Sequence, residues 1–249
     1  KFHAALVVTP TAYHFDLCSE LISEGVHVFC EKPITQTEEE AMKLFTLVKS
    51  RPKQVFQSGH SERMHAIWPH IIHDLELITA PLLHFKRVSP FKNRATDVDV
   101  ISDLMIHDID LLTYLTREIP LEVSAVGIRQ QTNHFDYVRA NFKLLSGQEV
   151  MIESSRISSK VERSVEFLGK NKTAFVDLAA LEYIETRGEE VKRTPYEKRD
   201  HLYLEQKAFF HSIQNELKPI VNAEEGYLAV KVAHAVRKSA LYQMRVFIQ

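Results

Sequence analysis

The sequence predicts an α/β protein in two parts: a partial doubly wound parallel-sheet domain, then an α+β domain built on a largely antiparallel open sheet. Three observations carry that expectation. Short, near-continuously apolar segments alternate with helical patterns from residue 4 to residue 57, as in a parallel sheet covered on both faces. From about residue 120, alternating segments follow one another across short turns, as antiparallel strands do. With 45% hydrophobic and 26% charged residues, the 249-residue chain has the apolar content for a sizeable core.

Ala4 to Val8 reads as a buried strand, and Thr11 is placed to cap a helix that runs to about Glu24 and ends at Gly25. A second strand spans Val26 to Cys30. Thr37 with Glu40 forms a capping box, and Ala41, Leu44, Phe45 and Val48 recur at helical spacing behind it. Gln54 to Gln57 closes this domain, assigned to residues 1–58. Residues 59–249 form the second. There the pattern predicts a helix over Ala66 to Leu77, a strand over Leu82 to Val88, a polar loop over Pro90 to Asp99 and a helix over Val100 to Leu115. Strands are expected at Val123 to Gln130, Tyr137 to Leu145, Glu149 to Ser155, Ser164 to Leu168, Thr173 to Asp177 and Glu182 to Thr186. Two helices finish the chain, the last from Ala223 to Tyr242.

With 31 basic against 33 acidic residues, the net charge of -2 suggests neither a nucleic-acid nor a membrane partner. No apolar run approaches the roughly 18 residues of a membrane span. Two cysteines, Cys18 and Cys30, are too few for a disulfide scaffold, so a reducing, cytoplasmic location is expected. His60, His65, His70 and His73 are crowded but lack H-E-x-x-H or comparable ligand spacing, so no metal is expected.

The chemistry-bearing candidates lie at two places. Glu31-Lys32-Pro33 follows a predicted buried strand, where a lysine is held by the sheet yet reaches the crevice beyond the strand end. On the helix from Val100, Asp103 precedes His107 by one turn, and Asp110 and Tyr114 share their face. A carboxylate there can orient an imidazole and raise its basicity, which suits a general base for an alcohol. The same spacing also fits a plain solvated face. Asp108 falls on the apolar side and must find a hydrogen-bond partner or a cation, so it reads as a structural anchor.

Four segments in order, "AALVVTPTAYH" (Ala4 to His14), "GVHVFCEKP" (Gly25 to Pro33), "FQSGHSERM" (Phe56 to Met64) and "DLMIHDIDLL" (Asp103 to Leu112), resemble the Gfo/Idh/MocA family of nicotinamide-dependent oxidoreductases. The tail, with Glu205, Phe209, Pro219, Glu225-Gly226 and Ala229, is similar to that family's C-terminal helices. The resemblance implies a Rossmann domain followed by an α/β domain whose sheet supports homo-oligomerisation. It also implies NAD as cofactor, with NADP not excluded, and a sugar or polyol hydroxyl oxidised to a ketone. By that resemblance Lys32, Asp103 and His107 are catalytic, the choice of base between Lys32 and His107 staying open. Thr9, Pro10, His14, Glu31, Lys32 and Pro33 border the cofactor. The family's G-x-G-x-x-G turn matches none of the seven glycines, so the chain reads as part of a longer protein lacking roughly 60 to 70 residues, about two crossover units. Should the chain truly start at Lys1, weak or absent cofactor binding is expected.

The segment from Arg87 to Asp110 resembles the branch that oxidises the 3-hydroxyl of UDP-N-acetylglucosamine on the way to a diamino sugar of lipid A. The branch's "ERFNP" is replaced by Glu62-Arg63-Met64-His65-Ala66, a departure at the substrate side. Arg63, Arg87 and Arg94 are candidates for a substrate diphosphate or cofactor phosphate, because guanidinium forks suit phosphate oxygens. Another sugar or polyol dehydrogenase of the family, or a non-catalytic sugar-sensing protein on the same fold, is the alternative.

Overall fold

A computed structural model of the chain describes residues 2–248; the expectation tied to Lys1 lies outside them. Contacts divide the chain into two compact units, one of Lys1–Met64 with Arg199–His234, the other of His65–Lys198 with Ala235–Gln249. The division therefore departs from chain order. The segment 199–234, which sequence order assigns to the second domain, is compact with the first, and the dividing line falls inside the last helix.

In the first unit, β1 (Ala4–Val7), β2 (His27–Glu31) and β3 (Phe56–Gly59) form a three-stranded parallel sheet in that order. Helices α1 (His14–Ser23) and α2 (Glu38–Lys49) connect them. Thr37 caps α2 as its spacing predicts, its hydroxyl accepting the Glu40 N–H while the Glu40 carboxylate accepts the Thr37 N–H. Gly25, at φ +80°, ends the turn after α1. Thr11 does not cap that helix: it sits inside a 3-10 turn, Thr11–Tyr13, that makes no side-chain cap. Nor is β1 a buried strand, since Leu6 and Val8 are exposed and Val7 alone is buried. It is an edge strand, paired among the described residues with β2 only. The core lies around β2, where Val28, Phe29 and Cys30 are inaccessible. Phe209 from α6 (His201–Gln214) meets Phe29 edge-on, and Cys18 and Cys30 are free buried thiols.

The second unit holds a nine-stranded mixed sheet, ordered β11-β10-β9-β8-β4-β7-β6-β5-β12. Its strands are β4 (Leu82–Val88), β5 (Glu122–Ile128), β6 (Tyr137–Lys143), β7 (Glu149–Ser155), β8 (Glu162–Leu168), β9 (Thr173–Asp177), β10 (Glu182–Arg187), β11 (Glu190–Pro195) and β12 (Val246–Phe247). Only β4 and β7 pair in parallel; the other pairs are antiparallel. The expected helix over Ala66 to Leu77 is instead two short pieces, α3 (Trp68–Ile71) and α4 (Leu75–Ile78). Asp74 divides them: its carboxylate caps α4 by accepting the Leu77 N–H, and aspartate favours that position over a helix interior. Helix α5 (Ile106–Thr116) packs its apolar stripe inward, and α7 (Ala223–Tyr242) ends the helical series. In this unit the Ser239 hydroxyl accepts the Ala125 N–H at 2.8 Å, tying the end of α7 to β5.

Candidate active site

Because β1, β2 and β3 are parallel, their carboxyl ends share one edge, where an open α/β sheet receives ligands. Thr9 and Pro10 follow β1 and are exposed; Glu31, Lys32 and Pro33 end or follow β2 and are partly exposed. The Lys32-Pro33 peptide is cis. His14, the first residue of α1, is buried and spans the two loops, Nδ1 lying 2.8 Å from the Pro33 carbonyl and Nε2 2.8 Å from the Thr9 carbonyl. It braces the edge rather than facing a ligand. Glu31 Oε2 accepts the Lys32 N–H at 3.3 Å, so the carboxylate folds back on the turn that carries the lysine. All six residues read from the sequence as cofactor-bordering thus gather at one edge of the first unit.

In the second unit, Asp103 and His107 do not lie on one continuous α-helix. Ile101–Met105 is a π-helical turn, and α5 starts only at Ile106. Asp103 belongs to the wider turn and His107 to the regular helix, both partly exposed, and inserted turns of this kind recur at functional sites. The turn is anchored from outside. Asp99 Oδ1 accepts the Ser102 N–H at 2.9 Å, while Arg237 donates to Asp99 Oδ2 at 2.7 Å and to the Ser102 hydroxyl at 2.6 Å. Burial raises the Asp99 carboxyl, but the Arg237 ion pair and the Ser102 bonds outweigh it and hold it below its ordinary value. Arg156 clamps the preceding loop, donating to the carbonyls of Ala95 and Val98. Its guanidinium lies 3.4 Å from Asp136, whose carboxylate also accepts three backbone N–H groups, from Gln130, Gln131 and Thr132. Nothing in the sequence marked Asp99, Asp136, Arg156 or Arg237; the Arg237–Asp99 and Arg156–Asp136 pairs join residues distant in the chain. Asp110 is buried rather than on a solvated face.

Two of the arginines read as anion binders make ion pairs within the fold. The Arg87 guanidinium is fork-bound to Asp108, with Nε–Oδ2 2.9 Å and Nη2–Oδ1 2.7 Å, and both side chains are almost fully buried. This is the cation that the apolar position of Asp108 requires. Arg63, equally buried, donates from Nη1 to Glu225 at 2.7 Å and to the Ile220 carbonyl at 3.2 Å. Both guanidiniums are paired and largely desolvated, whereas Arg94, in the loop after β4, is exposed.

Among the described residues one trio, His70, Asp74 and Glu185, has ligand atoms within 4.8 Å of one another. Lys172 already serves its carboxylates, pairing with Asp74 and, at 2.9 Å, with Glu185.

The first unit presents a parallel sheet with a lysine at its carboxyl edge, and the second a mixed-sheet α/β unit with a carboxylate and a histidine at a helix entrance. Sequence profiles match twice: "Oxidoreductase family, NAD-binding Rossmann fold" over residues 1–60 and "Oxidoreductase family, C-terminal alpha/beta domain" over residues 84–246. The chain belongs to the Gfo/Idh/MocA oxidoreductase family. Its residues present the exposed strand-end loops that suit one end of a dinucleotide, while the glycine-rich pyrophosphate turn does not occur in this sequence. UDP-N-acetylglucosamine 3-dehydrogenase of Acidithiobacillus ferrooxidans is 34% identical over 174 residues, 70% of this chain and 55% of that protein. An inositol 2-dehydrogenase of Pseudarthrobacter chlorophenolicus is 27% identical over 131 residues, 51% of this chain and 38% of that one. The chain thus spans about half or less of the length of these relatives. A solved structure of the Acidithiobacillus enzyme superposes with TM-score 0.90 at 29% identity, covering 97% of this chain and 80% of that one. Myo-inositol 2-dehydrogenase of Lactobacillus plantarum shares the fold, with TM-score 0.84 at 22% identity, over 100% of this chain and 81% of that one. No helix among the described residues is long and apolar enough to cross a membrane.

Proposed function

We propose that the protein oxidises a sugar hydroxyl to a ketone, with UDP-N-acetylglucosamine at its 3-position as substrate and NAD as hydride acceptor. The observation that carries the reading is the 34% identity to a UDP-N-acetylglucosamine 3-dehydrogenase, in a chain that keeps Lys32, Asp103 and His107. Bound NAD supplies the acceptor for the hydride leaving the carbon. The protein's own groups handle the proton. An imidazole has a lone pair and an ammonium has none, so His107 takes the hydroxyl proton while Lys32 donates to the oxygen and stabilises its developing negative charge. Asp103 orients the imidazole and balances its charge. Thr9, Pro10, Glu31 and Pro33 border the nicotinamide, braced by His14, and Arg94 contacts a phosphate. The 3-ketone produced is a carbonyl ready for amination, as a route to the diamino sugar of lipid A requires. Exposed Val126 and Ile128 on β5 favour self-association through the second unit's sheet in a cytoplasmic enzyme.

The test is incubation of the full-length protein with NAD, or NADP in parallel, and UDP-N-acetylglucosamine. Nicotinamide reduction with a 3-keto sugar is expected, and absence of both sinks the reading. The similarity to inositol 2-dehydrogenases favours a second reading, polyol oxidation, which turnover of myo-inositol alone would select. Cofactor binding without turnover of any sugar would select a sensing role.

A further inference from the structure

One buried acid in the first unit has no part in that scheme. Strand alternation turns Phe29 and Glu31 of β2 to one face, and Gln57 and Gly59 of β3 to the same face, with Glu31 paired in register to Gly59. Helix α6 covers this face: the Phe209 and Phe29 rings meet at a centroid distance of 6.0 Å, and Gln57 Nε2 donates to the Glu205 carbonyl at 2.7 Å. Glu205 lies one helical turn before Phe209, so its side chain is on the covered stripe. The residue is 2% exposed. Neither of its carboxyl oxygens has a hydrogen-bond partner among the described residues, and the same holds for Gln57 Oε1.

Charged and titratable groups reach this helix from β2, from the segment after β3 and from α6 itself, which also carries His201 and His211. Glu31 ends β2; His60, Glu62 and Arg63 come from the segment after β3, and Arg63 is paired with Glu225. On α6 itself, Lys207 is exposed. A bare carboxylate in such a place would be costly. Burial first, then the charge of Glu31, push the Glu205 carboxyl up to about 8. Glu31 in turn has little freedom: its Oε2 holds the Lys32 N–H and lies 3.1 Å from where a Cβ on Gly59 would stand.

We propose that Glu205 is a positioning residue for the lysine turn: buried without a partner it stays a neutral carboxylic acid, and so sets no second charge against the Glu31 carboxylate that holds the Lys32 backbone. Loss of that proton to solvent leaves two facing carboxylates, whose repulsion releases the turn. The role of Lys32 rests on the function proposed above; the proton on Glu205 does not.

The experiment follows unfolding free energy against pH for the wild-type chain, Glu205→Gln and Glu31→Gln, with the infrared carbonyl band of a protonated carboxyl recorded alongside. Glu205 keeps its proton in the folded state above the ordinary carboxyl value of 4.5, so its contribution is full below that value and is lost as pH rises toward about 8. Wild type should lose stability across this window with a slope of about one proton, which Glu205→Gln abolishes. Glu31→Gln should move the end of the decline to lower pH. Equal slopes in wild type and Glu205→Gln, a carbonyl band that survives Glu205→Gln, or a Glu31→Gln profile identical to wild type would each overturn the proposal. Should Glu205→Gln fail to fold, the wild-type band and its shift in Glu31→Gln decide alone. In the full-length enzyme, kcat should fall above pH 8 in wild type but not in Glu205→Gln, with KM for the sugar unchanged. A silent activity assay with the stability and infrared results intact would count against the substrate reading only.

Discussion

Arg87 on β4 holds Asp108 on α5 with two parallel donors, an ion pair sealed between the sheet and the helix that carries His107. Removing one partner strands the other charge in the core. Asp108→Leu or Arg87→Leu should each cost about 3–5 kcal/mol in denaturant unfolding, whereas the double substitution should recover most of the loss. Full additivity of the two single losses would contradict a direct pair.

Acid should act through Asp99. Its carboxyl is held below its ordinary value, so the stability it contributes is present above 3.8 and is lost as pH falls through the lower folded value. Arg237→Met removes the main group that depresses it and should raise the acid-unfolding midpoint, at a cost of about 1.5–3 kcal/mol at neutral pH. An unchanged midpoint would show that Arg237 does not stabilise the charge.

Gly59 is a close-approach position. A Cβ there would stand 3.0 Å from the Phe29 ring and 3.3 Å from the Glu31 Cα, so Gly59→Ala must displace the strand end that leads into Lys32. Thermal unfolding should show a loss of about 1–3 kcal/mol, with turnover reduced beyond what the lost stability explains. Gly147→Ala, where no atom lies within 4 Å but φ is +88°, should lower stability without touching turnover.

Lys32→Ala and His107→Asn should each reduce kcat of the full-length enzyme by about 10²–10⁴, with stability changed by less than about 1 kcal/mol. Steady-state kinetics beside a melting curve separates the two effects. Turnover retained in either variant would remove that residue from the proposed chemistry.

Much of the fold was legible in local pattern. The spans read for β4, β7, β9 and α7 coincide with the structure, and the Thr37–Glu40 box sits where its spacing put it. These elements carry their signal within a few residues. The exposed strand β11, Glu-Val-Lys-Arg-Thr-Pro, has no buried face to impose alternation; its ladder with β10 makes it a strand, and the turn at Gly188, φ +56°, was its sole local cue. The π turn at Ile101–Met105 was hidden because Asp103 and His107 satisfy α-helical spacing as letters, while loop anchors far away in sequence set the actual winding.

By itself the sequence determined the alternation of strand and helix, the lysine at a strand end, the Asp103 and His107 candidates and the family that carries them. These follow from side-chain periodicity and short motifs, which are local properties of the chain. Tertiary structure decided which charges are spent. Arg63 and Arg87 belong to Glu225 and Asp108, His14 to two loop carbonyls, and Glu205 to a dry face beside Glu31. Desolvation and pairing depend on what the folded chain brings within a few ångströms, and no spacing along the sequence records that distance.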